Sequence, residues 1–376
     1  MKLNVNTLAT GILIASITLT NTVFPIKSFS AQENRFLQRL PKWSIEYFLS
    51  GEYSKEFEKF TTDQFPFRDK WIEWKTKADL IMLKKDNGRV YFGKEGYLFE
   101  ISEYLDQKRL NANIAALKEF SIRIKELDEK INVTALLVPS KNTVLGDLLP
   151  EKAPVFDERG LFNNLFEELE SYYRLPNLIN LFTERSDEYI YYRTDHHWTT
   201  DGAYYAYLKA AETLGFEPLE RDEFVILSVN ESFLGTVYRK ANYYSGTPDS
   251  IRIYDPIEGL DKSILVNNTQ VTETFYDEDF LDKTDKYSFF MGGDFAIAEI
   301  NSSSKTGKTL LLIKDSYANS LVPFLSIHYD EIIMIDPRYF GGSILEYLSD
   351  KRIDDVLFTY GLWNFVQSPA ISVINK

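Results

Sequence analysis

The chain has 376 residues, 44% of them hydrophobic and 15% aromatic, enough for one large domain or a domain with an appendage. Its 42 Lys and Arg against 56 Asp and Glu leave a net charge of −14, which argues against a nucleic-acid partner and against an electrostatic grip on anionic lipid. No cysteine is present, so disulfides, thiolate metal sites and cysteine nucleophiles are excluded together.

At the N-terminus, Lys2 precedes a stretch without charge from Leu3 to Ile26, with an apolar centre at Gly11–Ala15. That layout reads as an export signal, and Ser28, Ser30 and Ala31 offer a small-residue cleavage site. Its length also suits a single membrane span. Residues 1–31 are therefore expected to be a signal peptide or membrane anchor, placing the rest outside the cytoplasm.

From Glu33 to about Lys85 the apolar set Phe36, Leu37, Leu40, Phe48, Phe57, Phe60, Trp71 and Trp74 predicts amphipathic helices, broken at Pro41 and Pro66. Arg89–Phe92 and Tyr97–Phe99 predict two short strands around the turn Gly93–Gly96. Together these make an N-terminal appendage over residues 32–105.

The remainder, residues 106–376, reads as an α/β domain. Leu110, Ile114, Leu117, Ile124 and Leu127 recur at helical spacing and lead into Val133–Val138, a continuous apolar run expected of a strand buried on both faces. A helix over Leu161–Tyr173, short strands at Leu178–Leu181 and Tyr189–Tyr192, and a helix over Ala203–Leu214 closed by Gly215 follow. About residues 220–290 form a β-rich insertion. Strands Thr309–Ile313, Glu331–Ile335 and Asp355–Tyr360 then alternate with helices Tyr317–Ile327 and Ile344–Leu348. Such alternation predicts a parallel sheet flanked by helices, with functional residues at the carboxyl ends of its strands.

Two segments lie where that rule points. Lys314-Asp315-Ser316-Tyr317 follows a strand and opens a helix, so Ser316 would sit at the sheet edge beside free backbone N–H groups; an ordinary helix N-cap fits the same residues. Asp195-His196-His197-Trp198 precedes another helix, and residues two apart in extended chain face the same way, so Asp195 can orient His197. A surface loop or a metal site also fits this pair of histidines. Only one further histidine exists, His328, expected to pack at a helix end. A triad of Ser316, His197 and Asp195 accounts for both segments with one site.

These motifs, with Glu33-Asn34-Arg35 and Asp63-Gln64-Phe65-Pro66-Phe67-Arg68, resemble the DHHW family. That family is similar to SGNH-hydrolase-like O-acetyltransferases that modify alginate, peptidoglycan and secondary cell-wall polysaccharides, the Gram-positive wall enzymes above all. The resemblance implies an SGNH-hydrolase-like fold, with Asp195 and His197 from an upstream Asp-x-His and Ser316 from a downstream Lys/Gly-Asp-Ser. It implies a polysaccharide acceptor, an acetyl group handed over by a membrane-bound O-acyltransferase, and neither cofactor nor metal. Lys314 stands where SGNH hydrolases have Gly, and the acid–base pair precedes the Ser rather than following it. Gly293 and Asn364 are the candidates for completing an oxyanion hole, and Arg338 matches the position of an active-site Arg that would bind donor or sugar. Arg338 would equally pair with Asp336, and Tyr360 would either approach the site or fill core. His196 is expected to position the donor or the structure, and Trp198 to back the imidazole or offer a face to a sugar.

The expected activity is acetyl transfer through a Ser316 acyl-enzyme onto sugar hydroxyls. An esterase on the same polymers shares the chemistry, with water as acceptor. A non-catalytic carbohydrate-binding wall protein and a metalloenzyme built on Asp195, His196 and His197 are the readings from other classes.

Overall fold

The computed structural model describes residues 25–30, 35–102, 104–242 and 246–375. The signal or anchor over residues 1–31 therefore lies almost wholly outside the described residues, as does most of Glu33-Asn34-Arg35. Among the described residues, no helix is long and apolar enough to cross a membrane. The chain divides into two compact units, one of residues 1–87 with 238–245 and one of residues 88–237 with 246–376.

In the smaller unit the expected helices are present as Ile45–Leu49, Glu52–Asp63 and Arg68–Ile81. Pro66 does mark a break, and a second falls at Gly51, whose φ of +81° suits glycine. The helix Arg68–Ile81 is turned inside out relative to its apolar pattern. Trp71 and Trp74 are exposed, whereas Glu73, Thr76 and Asp79 are buried. Two lysines serve each acid, Lys70 and Lys77 for Glu73 and Lys75 and Lys84 for Asp79, and long lysine stems can cover the carboxylates they pair with.

The larger unit is built on a seven-stranded sheet. Its strands are β1 (Asn132–Val138), β2 (Lys262–Val266), β3 (Gln270–Thr272), β4 (Ile297–Ser302), β5 (Thr309–Lys314), β6 (Glu331–Ile335) and β7 (Asp355–Gly361). They lie in the order β1-β7-β5-β6-β4-β2-β3. The first four are parallel; β4, β2 and β3 extend the sheet antiparallel. Part of the segment read as an insertion thus joins the main sheet, while Phe224–Phe233 and Asp249–Pro256 form a separate antiparallel pair. The hairpin Val90–Phe92 with Leu98–Glu100 belongs to this unit too.

Alternation along the strands explains the layers. Leu310 and Leu312 of β5 join Leu136, Val138, Ile332, Met334 and Leu357 on one face. Leu311 and Ile313 join Ala135, Leu137, Ile333, Ile335, Val356 and Phe358 on the other. Helix Thr200–Leu214 covers the first face through Ala203, Ala206, Tyr207 and Ala210. Helices Gln107–Leu127 and Glu158–Leu169 cover the second through Leu117, Phe120, Leu161 and Leu165. Each fully buried Leu or Ile contributes roughly 1.5–3 kcal/mol, so the parallel strands read as continuous apolar runs. His328 stacks on Phe216 at 4.1 Å and bonds the Tyr207 hydroxyl at 2.7 Å; burial, with Lys308 nearby, lowers its pKa to about 4.

Three expectations fail, each for a local reason. Leu178–Thr183 is a helix rather than a strand, because Asn177 caps it by accepting from Asn180 N and Leu178, Ile179 and Phe182 share a helical face. Tyr189–Tyr192 makes only the single bridge Tyr191–Trp198, its buried aromatics belonging to a turn rather than a strand. The helix over Tyr317–Ile327 is instead a 3₁₀ turn, Ser316–Ser320, followed by a short helix Val322–Leu325 begun around Pro323, which has no N–H to continue an earlier turn.

Candidate active site

Strands β5, β6, β7 and β1 end at one edge of the sheet, and each delivers a polar side chain there: Ser316, Arg338, Asn364 and Lys141 follow them in turn. Between the first three and the Asp195–Trp198 segment lies a cleft of about 520 Å³.

The two halves read from the sequence meet in it. His197 Nε2 lies 2.8 Å from Ser316 Oγ, and His197 Nδ1 lies 2.6 Å from Asp195 Oδ1. Asp195 and His197 are buried. Their geometry does not come from extended chain, as the spacing had suggested. Residues 193–197 form a bend, and Asp195 Oδ1 also accepts the His197 backbone N–H at 3.0 Å, so a side-chain-to-backbone turn brings carboxylate and ring together. The second oxygen, Oδ2, accepts Thr236 N at 2.7 Å and Thr236 Oγ1 at 2.9 Å. Burial by itself raises the Asp195 pKa, but the imidazoles of His196 and His197 and the hydrogen bonds from His197 and Thr236 outweigh it and hold the carboxyl well below the usual range. Gly235 precedes Thr236, and a Cβ there would stand 2.3 Å from Asp195 Cβ, so only glycine lets the chain pass this close.

The Lys314–Tyr317 block divides its labour. Asp315 takes the capping role, accepting Tyr317 N at 3.0 Å, Gly361 N at 2.9 Å and Asn364 Nδ2 at 2.7 Å. Burial pushes its pKa up against those bonds. Ser316 is left to face His197, and its backbone N–H donates to no described residue. Lys314, in the place of the usual glycine, is completely buried and lies 3.3 Å from Asp294 and 3.4 Å from Asp336. Its ammonium also donates to Asn319 Oδ1 at 3.0 Å. Lys314 therefore places one cation beside two carboxylates that, among the described residues, otherwise share only the Arg338 ion pairs.

Arg338 makes the pairing the sequence allowed. It pairs with Asp336 at 2.6 Å and Asp294 at 3.0 Å, and it lines the cleft. Asn364 and Gly293 line it as well, but the Gly293 N–H is directed to the Phe290 carbonyl at 3.3 Å and the Asn364 amide to Asp315. Tyr360 is both a core residue and a wall residue: fully buried, with a hydroxyl that finds no partner among the described residues. His196 is part-exposed on the wall, its Nδ1 2.7 Å from Thr236 Oγ1. Trp198 offers no face to a sugar. It is fully buried, and its indole N–H donates to Ser320 Oγ at 2.9 Å and to the Tyr317 carbonyl at 3.1 Å.

Sequence reasoning missed Thr236 and Tyr287, neither of which sits in a recognisable motif. The Tyr287 ring stacks on His197 at 3.7 Å with an interplanar angle of 4°, and its hydroxyl lies 3.2 Å from the Ser316 carbonyl. Asp195, His196 and His197 each offer a ligand atom within 4.8 Å of the others. Asp195 Oδ1 and both Nδ1 atoms are already engaged, in the Asp195–His197 and His196–Thr236 bonds.

The family model described as SGNH hydrolase-like domain, acetyltransferase AlgX, matches residues 90–232, and the fold is SGNH hydrolase-like. The model described as DHHW protein matches residues 162–335, which hold the Asp195–Trp198 and Lys314–Tyr317 motifs. A solved DHHW family protein from Eubacterium siraeum is 27% identical, with TM-score 0.65 over 74% of this chain and 91% of that one. Bacillus cereus PatB1, solved with a sulfonyl adduct, shares the fold at 20% identity and TM-score 0.65, over 77% of this chain and 100% of its own. No curated protein matches the chain.

Proposed function

We propose that the chain is an extracytoplasmic O-acetyltransferase that carries an acetyl group on Ser316 and passes it to hydroxyls of a cell-wall or secreted polysaccharide. The observation that carries this reading is the unbroken line Ser316 Oγ–His197 Nε2, His197 Nδ1–Asp195 Oδ1, at 2.8 and 2.6 Å. The match to an acetyltransferase domain model supports transfer as the class of chemistry. Export rests on the uncharged N-terminal stretch and the family resemblance.

In the first half-reaction His197 Nε2 takes the Ser316 proton as Oγ attacks the acetyl carbonyl of the donor. The negative oxygen of the tetrahedral intermediate is met by the Ser316 backbone N–H. The donor's leaving oxygen or sulfur departs with the proton from His197. In the second, His197 takes the proton of a sugar hydroxyl, which attacks the acyl-enzyme; the proton returns to Ser316 as the ester passes to the sugar. Asp195 keeps the imidazole in the required tautomer throughout. Arg338, held by Asp294 and Asp336, stands on the wall as a donor or sugar contact. Asp285, Asp294 and Asp315 line the same cleft, which suits an acceptor that is neutral or cationic at the point of contact. By the family resemblance, a membrane-bound O-acyltransferase supplies the acetyl group.

Incubation with an aryl acetate and a candidate wall polysaccharide tests the reading: acetyl on the polymer should exceed acetate in solution. Release of acetate alone, with every acceptor unmodified, would replace it with the esterase.

The stacked Tyr287 ring faces the imidazolium that forms in both half-reactions. Tyr287→Leu is expected to lower kcat/KM about tenfold, the scale of a desolvated cation–π contact, while Tyr287→Phe stays within about threefold. Equal losses in the two variants would assign the effect to the hydroxyl instead.

A further inference from the structure

Two buried charged side chains that the proposed mechanism never uses enclose the backbone that bears Asp195. Lys141, which opens the short helix Lys141–Val144 after β1, is 2% exposed, and Asp249, in the strand Asp249–Pro256, is fully buried. The Lys141 ammonium donates to the carbonyls of Tyr192 at 3.1 Å, Arg193 at 2.9 Å and Asp195 at 2.8 Å. The Asp249 carboxylate accepts the N–H of Arg193 at 2.7 Å and of Thr194 at 2.8 Å, with the hydroxyls of Thr194 and Tyr189 beside them. Between them, the two side chains bind five backbone groups within residues 192–195. Lys141 is itself anchored: buried Glu158 accepts Ser140 N, Ser140 Oγ and Thr143 Oγ1 on either side of it.

We propose that Lys141 and Asp249 are positioning residues, a cation for the carbonyls and an anion for the amides, that fix the Asp195–His197 bend against Ser316. The proposal rests on the acyl-transfer reading of that site. A buried charge held this way is poor economy for stability alone, since an apolar side chain of similar volume fills the same space without desolvation. What the charges add is direction. Five backbone dipoles are set in a segment without strand or helix, and a displacement of about 1 Å at a reacting group can cost on the order of a hundredfold in rate. Burial lowers the Lys141 pKa to about 8, while the facing anions Asp249, Asp195 and Glu100 oppose the fall.

The test uses the full chain and aryl acetate turnover, with folding checked by circular dichroism. Lys141→Met and Asp249→Asn are each expected to lower kcat ten- to a hundredfold per folded molecule while KM stays within about twofold. The low-field proton resonance of His197 Nδ1–H should be shifted or lost in both. Wild-type kcat should decline above about pH 8 as Lys141 loses its proton. Unfolding does not mimic that decline: the unfolded chain binds this proton more tightly, so this group's contribution to stability increases with pH there. Either folded variant with wild-type kcat and resonance overturns the proposal, as does a level alkaline limb. Should Lys141→Met fail to fold, Asp249→Asn decides, because the amide keeps the volume and one acceptor oxygen. A wild-type protein that turns over no acyl ester would instead remove the functional reading beneath it.

Discussion

Ser316→Ala should abolish turnover of an aryl acetate, by roughly 10⁴- to 10⁶-fold, and should leave no residue that an aryl sulfonyl fluoride labels. The reason is that Ser316 is the one described side chain whose hydroxyl donates to His197 Nε2, so no neighbouring hydroxyl can substitute. The fold should survive. Deleting Oγ removes one hydrogen bond, worth about 1 kcal/mol, and leaves Asp315 capping the turn and Trp198 bonded to Ser320. Mass spectrometry of the intact protein after sulfonyl fluoride treatment checks both halves: a single adduct on wild type and none on the variant. An adduct persisting on Ser316→Ala would place the nucleophile elsewhere.

Asp195→Asn is expected to lower kcat about 10⁴-fold with little change in overall structure. Thr236 decides which way the new amide points. Its backbone N–H and hydroxyl both donate to Oδ2, so the Asn oxygen should keep that position and the NH₂ group should face His197 Nδ1, at the cost of the His197 N–H bond to Oδ1. The ring then keeps its hydrogen on Nε2, where it cannot accept the Ser316 proton. Steady-state kinetics across pH measure the loss, and a variant within tenfold of wild type would show that the carboxylate is dispensable. Stability should change with pH in a definite sense. Because the folded Asp195 pKa is depressed, its contribution is present above the unfolded value of about 3.9 and is lost as pH falls through the lower folded value. Chemical unfolding at pH 3 and pH 7 should therefore show a smaller difference for Asp195→Asn than for wild type.

How far the sequence reached depended on whether a signal was local. Continuous apolar runs announced β1, β5, β6 and β7, because burial on both faces leaves no polar alternation to confuse the pattern. The carboxyl end of β5 then pointed to Ser316, whereas Arg338 came from the family resemblance. Asp195 and His197 were legible because three histidines in 376 residues make an adjacent pair conspicuous. What stayed hidden was set by distant packing. Thr236 and Asp249 reach Asp195 and its neighbours from 41 and 55 residues away, and neither is chemically unusual. Leu178–Thr183 was misread because six mostly apolar residues satisfy strand and helix patterns alike, and the deciding Asn177 cap is one hydrogen bond. The exposure of Trp71 and Trp74 ran against pattern because paired lysines made it possible to bury the opposite, acidic face.

The Trp198 indole joins the two ends of a long loop. Its N–H reaches the Tyr317 carbonyl and Ser320 Oγ across more than a hundred residues of chain, as His197 does to Ser316. Nothing smaller than the assembled sheet, with β5 seated beside β7 and β6, holds those partners together. Contacts of this range form only after the entropy of closing the loop between them has been met, which puts them late in folding. A nascent chain released with helices formed and strands unpaired would therefore be chemically inert. Under the export and acyl transfer proposed above, a site that cannot exist in the unfolded chain is a safeguard written into the order of its own assembly.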